Sequence, residues 1–337
     1  MSGENIGTPG GVTPAADAPD VSRTIGQTDM SVFPLALGGA VFGWTLPSGR
    51  SVDLLDRFVE LGGQMVDTSD SYSSGMSEQI IGKWMRERGN RSDVVVATKV
   101  GRHPDFPGLS ASNIVEAVNA SLERLQTDYI DLLYFHAEDP DVSMEESLSA
   151  VENLIQAGKV RALGASNFSA DRLLEARIIA ASGLPRFEAV ALEYSLLRRD
   201  IVEGNITMMA IAQQMSIMPY FILANGFLGR HRNIKSFNPN DTRSRRAAQH
   251  GGRHGTHVLR ALDNVARAQG VDISTVAVAW VLGRSAVGIP TIGAESIREL
   301  EALMHAPHLQ LSRQQIADLD RASVEQGRNW LPSLTRS

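Results

Sequence analysis

Four side chains in the first half of this chain are of types that could do chemistry together. Asp67, Lys99 and His136 stand at or near the ends of three near-continuous apolar runs, QMVDTSD (64–70), VVVATKV (94–100) and IDLLYFH (130–136). Runs of this length and character read as strands buried on both faces, and charges are rarely placed in such strands without a partner or a purpose. Three ionisable residues at successive strand ends would converge on one mouth. Tyr72 follows Asp67 by five residues. A free phenol, with a pKa of ~10, is a sluggish acid at neutral pH. A lysine ammonium about 4 Å away, at an effective dielectric of about 20, favours the phenolate by up to about 4 kcal/mol. Lys99 could act in this way, with Asp67 keeping it protonated, and His136 could share negative charge developing on an oxygen. Taken singly, each has an ordinary explanation: a lone Lys or Asp after a strand caps a loop or meets solvent, and a lone tyrosine sits exposed in a loop. Tyr129, Tyr134 and Tyr194 lie within or beside apolar runs and read as core or shelf residues.

The elements that must position these groups are legible along the chain. Further apolar runs occupy 35–38, 161–166, 188–194, 217–223 and 287–293, which makes eight. Between them lie segments with apolar spacing of three and four, such as VDLLDRFVELG, SEQIIGKWMRERG, SNIVEAVNASLERL, EESLSAVENLIQAG, ADRLLEARIIAASG and TMMAIAQQM. Several end at a glycine (Gly62, Gly89, Gly158, Gly183), which tolerates the left-handed residue that closes a helix. Eight strands alternating with helices predict a TIM (β/α)8 barrel of the α/β class, although an open doubly wound sheet gives a similar pattern. Barrel enzymes carry their chemistry at the C-terminal strand ends, where Asp67, Lys99 and His136 stand. No G-x-G-x-x-G follows the first strand, so a Rossmann fold has no support.

Composition narrows the classes. The 337 residues are 43% hydrophobic and 21% charged, ordinary for a globular domain and too apolar for a disordered chain. A net charge of −6 leaves no basic face for nucleic acid. No run of ~18 apolar residues suits a bilayer, and the N-terminus lacks the basic and apolar regions of a signal peptide, so a cytoplasmic protein without membrane partners is expected. The absence of cysteine excludes disulfides, thiolate nucleophiles and cysteine-ligated metals. Residues 1–21, rich in Gly, Pro, Ala and Thr, read as a disordered tail, and 22–337 as a single domain.

Several motifs in order resemble the aldo-keto reductase family. MVDTSDSYSSGMSEQIIG matches its pattern of Asp67, Tyr72, Gly75, Ser77, Glu78 and Gly82; VVVATKVG supplies Lys99, LERLQTDYIDLLYFH supplies His136, and AGKVRALGASNFS the pair Ser166 and Asn167. EYSLLRRD, IGAESIREL and the opening RTIGQTDMSVFPLALGG also look like the family, so the likeness spans about residues 22–323. It implies a barrel with an N-terminal β-hairpin and extra C-terminal helices. It also implies reduction of an aldehyde, ketone or sugar carbonyl by a nicotinamide nucleotide, with Tyr72 as general acid. NADP(H) is the family's usual cofactor and NAD(H) the alternative. By the same resemblance Ser166 and Asn167 meet the carboxamide, Tyr220 stacks on the ring, and Leu223, Asn225, Gly226 and Arg230 lie near the phosphates, Arg230 standing where the family has lysine. Gly293 and Glu299 fall at the adenosine end.

The chain also departs from the pattern. Ala191 stands where the family usually has a carboxamide-binding glutamine, so that either a water or another side chain takes over the contact or cofactor affinity is lower by about 1 kcal/mol. Glu295 and Glu299, with Arg298 as the nearby cation, replace the basic residues that often meet a 2′-phosphate, which leaves NADP(H) the expected cofactor by a thin margin over NAD(H). Segment 230–260 is rich in Arg and His and reads as a long loop that could close over the cofactor phosphates. The spacing of His250, His254 and His257 also admits a metal site, and with it a metallohydrolase. Trp44, Phe106 and Trp330 are candidates for the substrate pocket. The competing reading is a weakly active or inactive nicotinamide-nucleotide-binding regulatory subunit. Oligomeric state is not legible.

Overall fold

In the computed structural model, which describes residues 21–229 and 242–324, the chain enters through a short antiparallel hairpin, β1 (Arg23–Thr24) with β2 (Ser31–Val32). Each of the eight apolar runs then carries one strand of a single parallel sheet. They are β3 (Ala36–Gly38), β4 (Met65–Asp67), β5 (Val95–Val100), β8 (Ile130–Phe135), β9 (Val160–Ser166), β10 (Phe187–Glu193), β11 (Ser216–Tyr220) and β12 (Thr291–Ile292); between β5 and β8 lies a small antiparallel pair, β6 (Arg102–His103) and β7 (Phe106–Pro107). The strand order is β11-β10-β9-β8-β5-β4-β3-β12. Its two ends meet at a parallel bridge between Ile217 and Val287, supported by Ile217 N donating to Ala286 O at 2.8 Å. The sheet is therefore a (β/α)8 barrel, not an open one.

Two apolar layers hold it together. Inside the barrel, Ala36, Met65, Ala97, Leu132, Tyr134, Ala162, Ala189, Ala191, Met218 and Ile289 form one cluster, and Ile25, Met30 and Val32 of the hairpin join it as a plug. Alanines alternate with larger side chains because inward residues from neighbouring strands share a narrow space. A larger cluster lies between the sheet and the helices.

The crossover helices are α1 (Ser48–Glu60), α2 (Met76–Arg88), α3 (Ala111–Leu125), α4 (Met144–Gln156), α5 (Ala170–Ala180) and α6 (Asn205–Gln213). In α3 the buried Ile114, Ala117, Val118, Leu122 and Leu125 recur at three- and four-residue spacing, and the Ser110 hydroxyl accepts from Asn113 N at its start. Past the eleventh strand the segment expected to be one long loop is partly helical. α7 (Thr242–Ala248) and α8 (Arg253–Gln269) occupy much of it. Val258, Leu259, Leu262, Val265 and Ala266 of α8 form a buried stripe, which gives that helix an apolar face to pack. The almost wholly buried α9 (Ile273–Leu282) follows, then α10 (Ile297–Met304) and the C-terminal α11 (Arg313–Ser323). No single helix among the described residues is long and apolar enough to cross a membrane. The expected tail (1–21, apart from Val21), Arg230 and Trp330 lie outside the described residues.

Candidate active site

The turn after β4 sets the position of Tyr72. Parallel pairing continues beyond the strand through Thr68 N to Ala97 O (2.8 Å) and Asp70 N to Lys99 O (3.1 Å). The chain then reverses, with Tyr72 N donating to Ser69 O and Gly75 N to Tyr72 O, while Ser73, Ser74 and Gly75 all adopt positive φ. Gly75 is required twice over: its φ is +85°, and a Cβ there would stand 2.6 Å from the Arg124 side chain.

The rest of the motif pins this turn. Ser77 Oγ donates to Gly39 O at 2.9 Å and meets Thr68 Oγ1 at 2.8 Å. Glu78, fully buried, accepts from Thr98 Oγ1 (2.5 Å) and from Arg124 Nε (2.7 Å), tying the start of α2 to β5 and α3. At Gly82 an added Cβ would lie 2.5 Å from the Arg124 carbonyl oxygen, so α2 and α3 approach as closely as they do because no side chain intervenes.

At the C-terminal mouth of the barrel the four expected residues come together. Lys99 Nζ donates to Asp67 Oδ1 at 2.5 Å and to Thr68 O at 2.8 Å. It stands 5.1 Å from the centre of the Tyr72 ring. The Tyr72 and His136 rings meet edge to face with centroids 6.1 Å apart. His136 Nδ1 faces Ser69 Oγ at 3.1 Å, which leaves Nε2 as the ring nitrogen for a ligand. All four side chains line one cleft of about 840 Å3.

Burial dominates the electrostatics here. It pushes the Tyr72 hydroxyl above its ordinary pKa, and the opposing pull of Lys99 does not overcome it. The ammonium argument alone points the other way; it omits the cost of placing a phenolate in a closed mouth. Burial alone would drive Lys99 toward the neutral amine, but Asp67 and Tyr72 reverse this and hold its pKa above the ordinary value. Burial, followed by Lys99 and Arg102, lowers His136 to about 3, so its imidazole is neutral at physiological pH.

From this centre the cleft runs past Ser166, Asn167 and Tyr220 to Leu223, Asn225 and Gly226, with Gly293 and Ala294 on another wall. Asn225 and Gly226 have φ of +57° and +90° in a tight turn, and a Cβ on Gly293 would meet no atom within 4 Å. A pocket of this size, with a polar centre and a cationic residue, Arg246, on its wall, suits a nicotinamide nucleotide. Asn167 is already engaged: its Oδ1 accepts from the Tyr220 hydroxyl, and its Nδ2 donates to His136 O at 3.0 Å. Ala191 lines the cleft without any side-chain donor.

The remaining expected residues divide between the cleft and other places. Trp44 lines the cleft and is 61% exposed. Phe106 does not line it and stacks on His103 instead, with centroids 6.1 Å apart. Glu299 is also absent from its wall; its carboxylate accepts from Glu295 N at 2.9 Å, at the start of α10. His254 and His257 lie on α8, beyond the turn that holds His250, and no group of three or more His, Cys, Asp and Glu among the described residues is arranged to hold a metal. Sequence reasoning passed over Arg102, Phe221 and Arg246, all cleft residues. Arg102 was within reach, three residues after Lys99 in a segment that must cross the mouth. Arg246 falls in the 230–260 segment expected to close over the phosphates, but nothing in the sequence singled it out from the other arginines there.

Comparison with known proteins agrees with this geometry. The family model described as the Aldo/keto reductase family matches residues 34–324. Norsolorinic acid reductase B of Aspergillus parasiticus is 31% identical over 316 residues, covering 86% of this chain and 81% of the relative. An aryl-alcohol dehydrogenase of Pestalotiopsis microspora is 32% identical over 314 residues, covering 88% and 80%. An aldo-keto reductase of Bacillus subtilis is 32% identical over 276 residues, covering 80% and 81%.

Proposed function

The chain belongs to the aldo/keto reductase family, and from that premise we propose that it reduces the carbonyl of an aldehyde, ketone or sugar to an alcohol with NADPH or NADH. The observation that carries this reading is the meeting of Tyr72, the Asp67–Lys99 pair and His136 in one cleft. When bound, the nicotinamide supplies the hydride that the carbonyl carbon receives. Tyr72 keeps its proton at neutral pH because burial disfavours the phenolate, and gives it up from Oη as negative charge grows on the substrate oxygen. Lys99, held as an ammonium by Asp67, stabilises the phenolate left behind. Neutral His136 orients the oxygen through Nε2. Water then reprotonates Tyr72.

Arg246 on the cleft wall supports NADP(H), and with Glu299 turned toward the start of α10 its carboxylate does not oppose a phosphate there. Trp44 and Phe221, large exposed aromatic residues at the cleft, support an aryl substituent on the carbonyl, as does the relative named as an aryl-alcohol dehydrogenase. The engaged Asn167 amide and the missing donor at Ala191 favour a second reading, a nucleotide-binding subunit with little turnover.

Purified protein with NADPH and 4-nitrobenzaldehyde separates the two. Turnover that falls by about 10^2- to 10^4-fold in Tyr72→Phe, with NADPH binding retained, supports the reductase. Binding without turnover supports the subunit, and turnover that survives Tyr72→Phe removes the role given to the phenol.

A further inference from the structure

Ser69 and Asp70 lie inside the catalytic motif, and the reaction as described uses neither. Asp70 is fully buried, and its Oδ2 has no hydrogen-bond partner among the described residues. An unpaired, sealed oxygen is far more costly on a carboxylate than on a neutral acid. Its Oδ1 lies 3.1 Å from Ser69 Oγ, and Ser69 Oγ lies 3.1 Å from His136 Nδ1. One hydroxyl, with one proton, thus stands between a carboxyl group and the imidazole, both nearer to it than the Lys99 carbonyl oxygen at 3.4 Å.

We propose that Asp70, acting through Ser69, sets which ring nitrogen of His136 carries the proton, and is therefore a positioning residue for carbonyl reduction. The proposal rests on the reductase reading above. With Asp70 neutral, its Oδ1–H donates to Ser69, Ser69 donates to Nδ1, and the proton of His136 is on Nε2, where it meets the carbonyl oxygen. With Asp70 ionised, Ser69 donates to the carboxylate, Nδ1–H donates to Ser69, and Nε2 turns a lone pair toward that oxygen. The two states differ by a shift of each proton one place along the chain: Asp70 to Ser69, Ser69 to Nδ1, and Nε2 to water. One proton leaves in all. Ser71 approaches Ser69 Oγ through its N at 3.3 Å and its Oγ at 2.9 Å, and fills the remaining lone pair of Ser69 in both states.

The surroundings place this change in the working range. Asp70 is raised to about 7, first by burial and then by the Glu78 charge of α2, with the Ser69 hydroxyl, Arg124 of α3 and the Ser71 backbone N–H opposing. On the other side Lys99 and Arg102 face His136 and help to keep it neutral, so its tautomer rather than its charge is what varies.

Two measurements decide the matter. In wild-type protein labelled with 15N-histidine, long-range proton–nitrogen correlations, with His136→Gln to assign the signal, should show Nε2–H well below pH 7 and Nδ1–H well above it. A single tautomer across that range overturns the proposal, and because no turnover is needed this outcome is separate from failure of the reductase reading. With NADPH and 4-nitrobenzaldehyde, wild-type kcat should fall by about 10^2-fold as pH rises through about 7, the cost of losing one donor to the developing oxyanion. Asp70→Asn, whose amide donates to Ser69 and does not ionise, should keep the acidic-side kcat with no such fall; a wild-type pH profile in this variant overturns the proposal.

Discussion

Lys99 Nζ stands 2.5 Å from Asp67 Oδ1 with both side chains nearly sealed, 4% and 10% exposed. A pair this buried is costly to form and more costly to halve, since removal of one partner strands the other charge in a medium that solvates it poorly.

Asp67→Asn should therefore destabilise the fold by about 3–5 kcal/mol and lower the Lys99 pKa. Pairing it with Lys99→Met, which removes the stranded charge, should recover most of the stability and none of the turnover. Urea unfolding of the two variants is the check; a loss under about 0.5 kcal/mol in Asp67→Asn, the scale of a surface change, would show that the pair does not hold the site.

Acid should unfold the protein partly through His136. Its folded pKa of about 3 lies below the ~6.5 of an unfolded histidine, so between these values the unfolded chain binds the extra proton. Stability from this group is complete above about 6.5 and lost as pH falls toward 3, on the order of 5 kcal/mol in all. Asp70 has the opposite sign. Raised to about 7 when folded, it contributes most at low pH and loses that contribution as pH rises through about 7. Unfolding midpoints across pH should show a flatter acid limb in His136→Gln and higher stability above pH 7 in Asp70→Asn; unchanged limbs would contradict both assignments.

Arg246 should matter to one cofactor more than the other. If its guanidinium meets the 2′-phosphate, Arg246→Ala should weaken NADPH binding by about 10-fold or more, the worth of a hydrogen bond to a charged group, and leave NADH binding nearly unchanged. Fluorescence titration with each nucleotide reads this directly. Equal weakening of both would place the residue at a phosphate that the two share.

The α2–α3 contact should tolerate no side chain at Gly82. A Cβ 2.5 Å from the Arg124 carbonyl oxygen forces the helices apart, and Gly82→Ala should cost about 1–3 kcal/mol. Because Arg124 also holds Glu78, turnover should fall with stability. Thermal melting together with kcat tests this, and a variant as stable as wild type would mean that the helices yield freely.

Much of this molecule was legible from its residues. Apolar runs of strand length here become strands, terminal glycines end helices by local geometry, and Asp67, Lys99 and His136 must share a mouth once their strands are neighbours in register. Those are consequences of short-range chemistry and of the two-residue period of a strand. What only the tertiary structure decided depends on distance across the barrel and on exclusion of water. It turned Phe106 and Glu299 away from the cleft, brought Arg246 to it, and joined Ser69 to His136 across 67 positions of sequence. It also made burial, rather than the neighbouring ammonium, the stronger influence on Tyr72, because desolvation belongs to the whole enclosure and to no single residue within it.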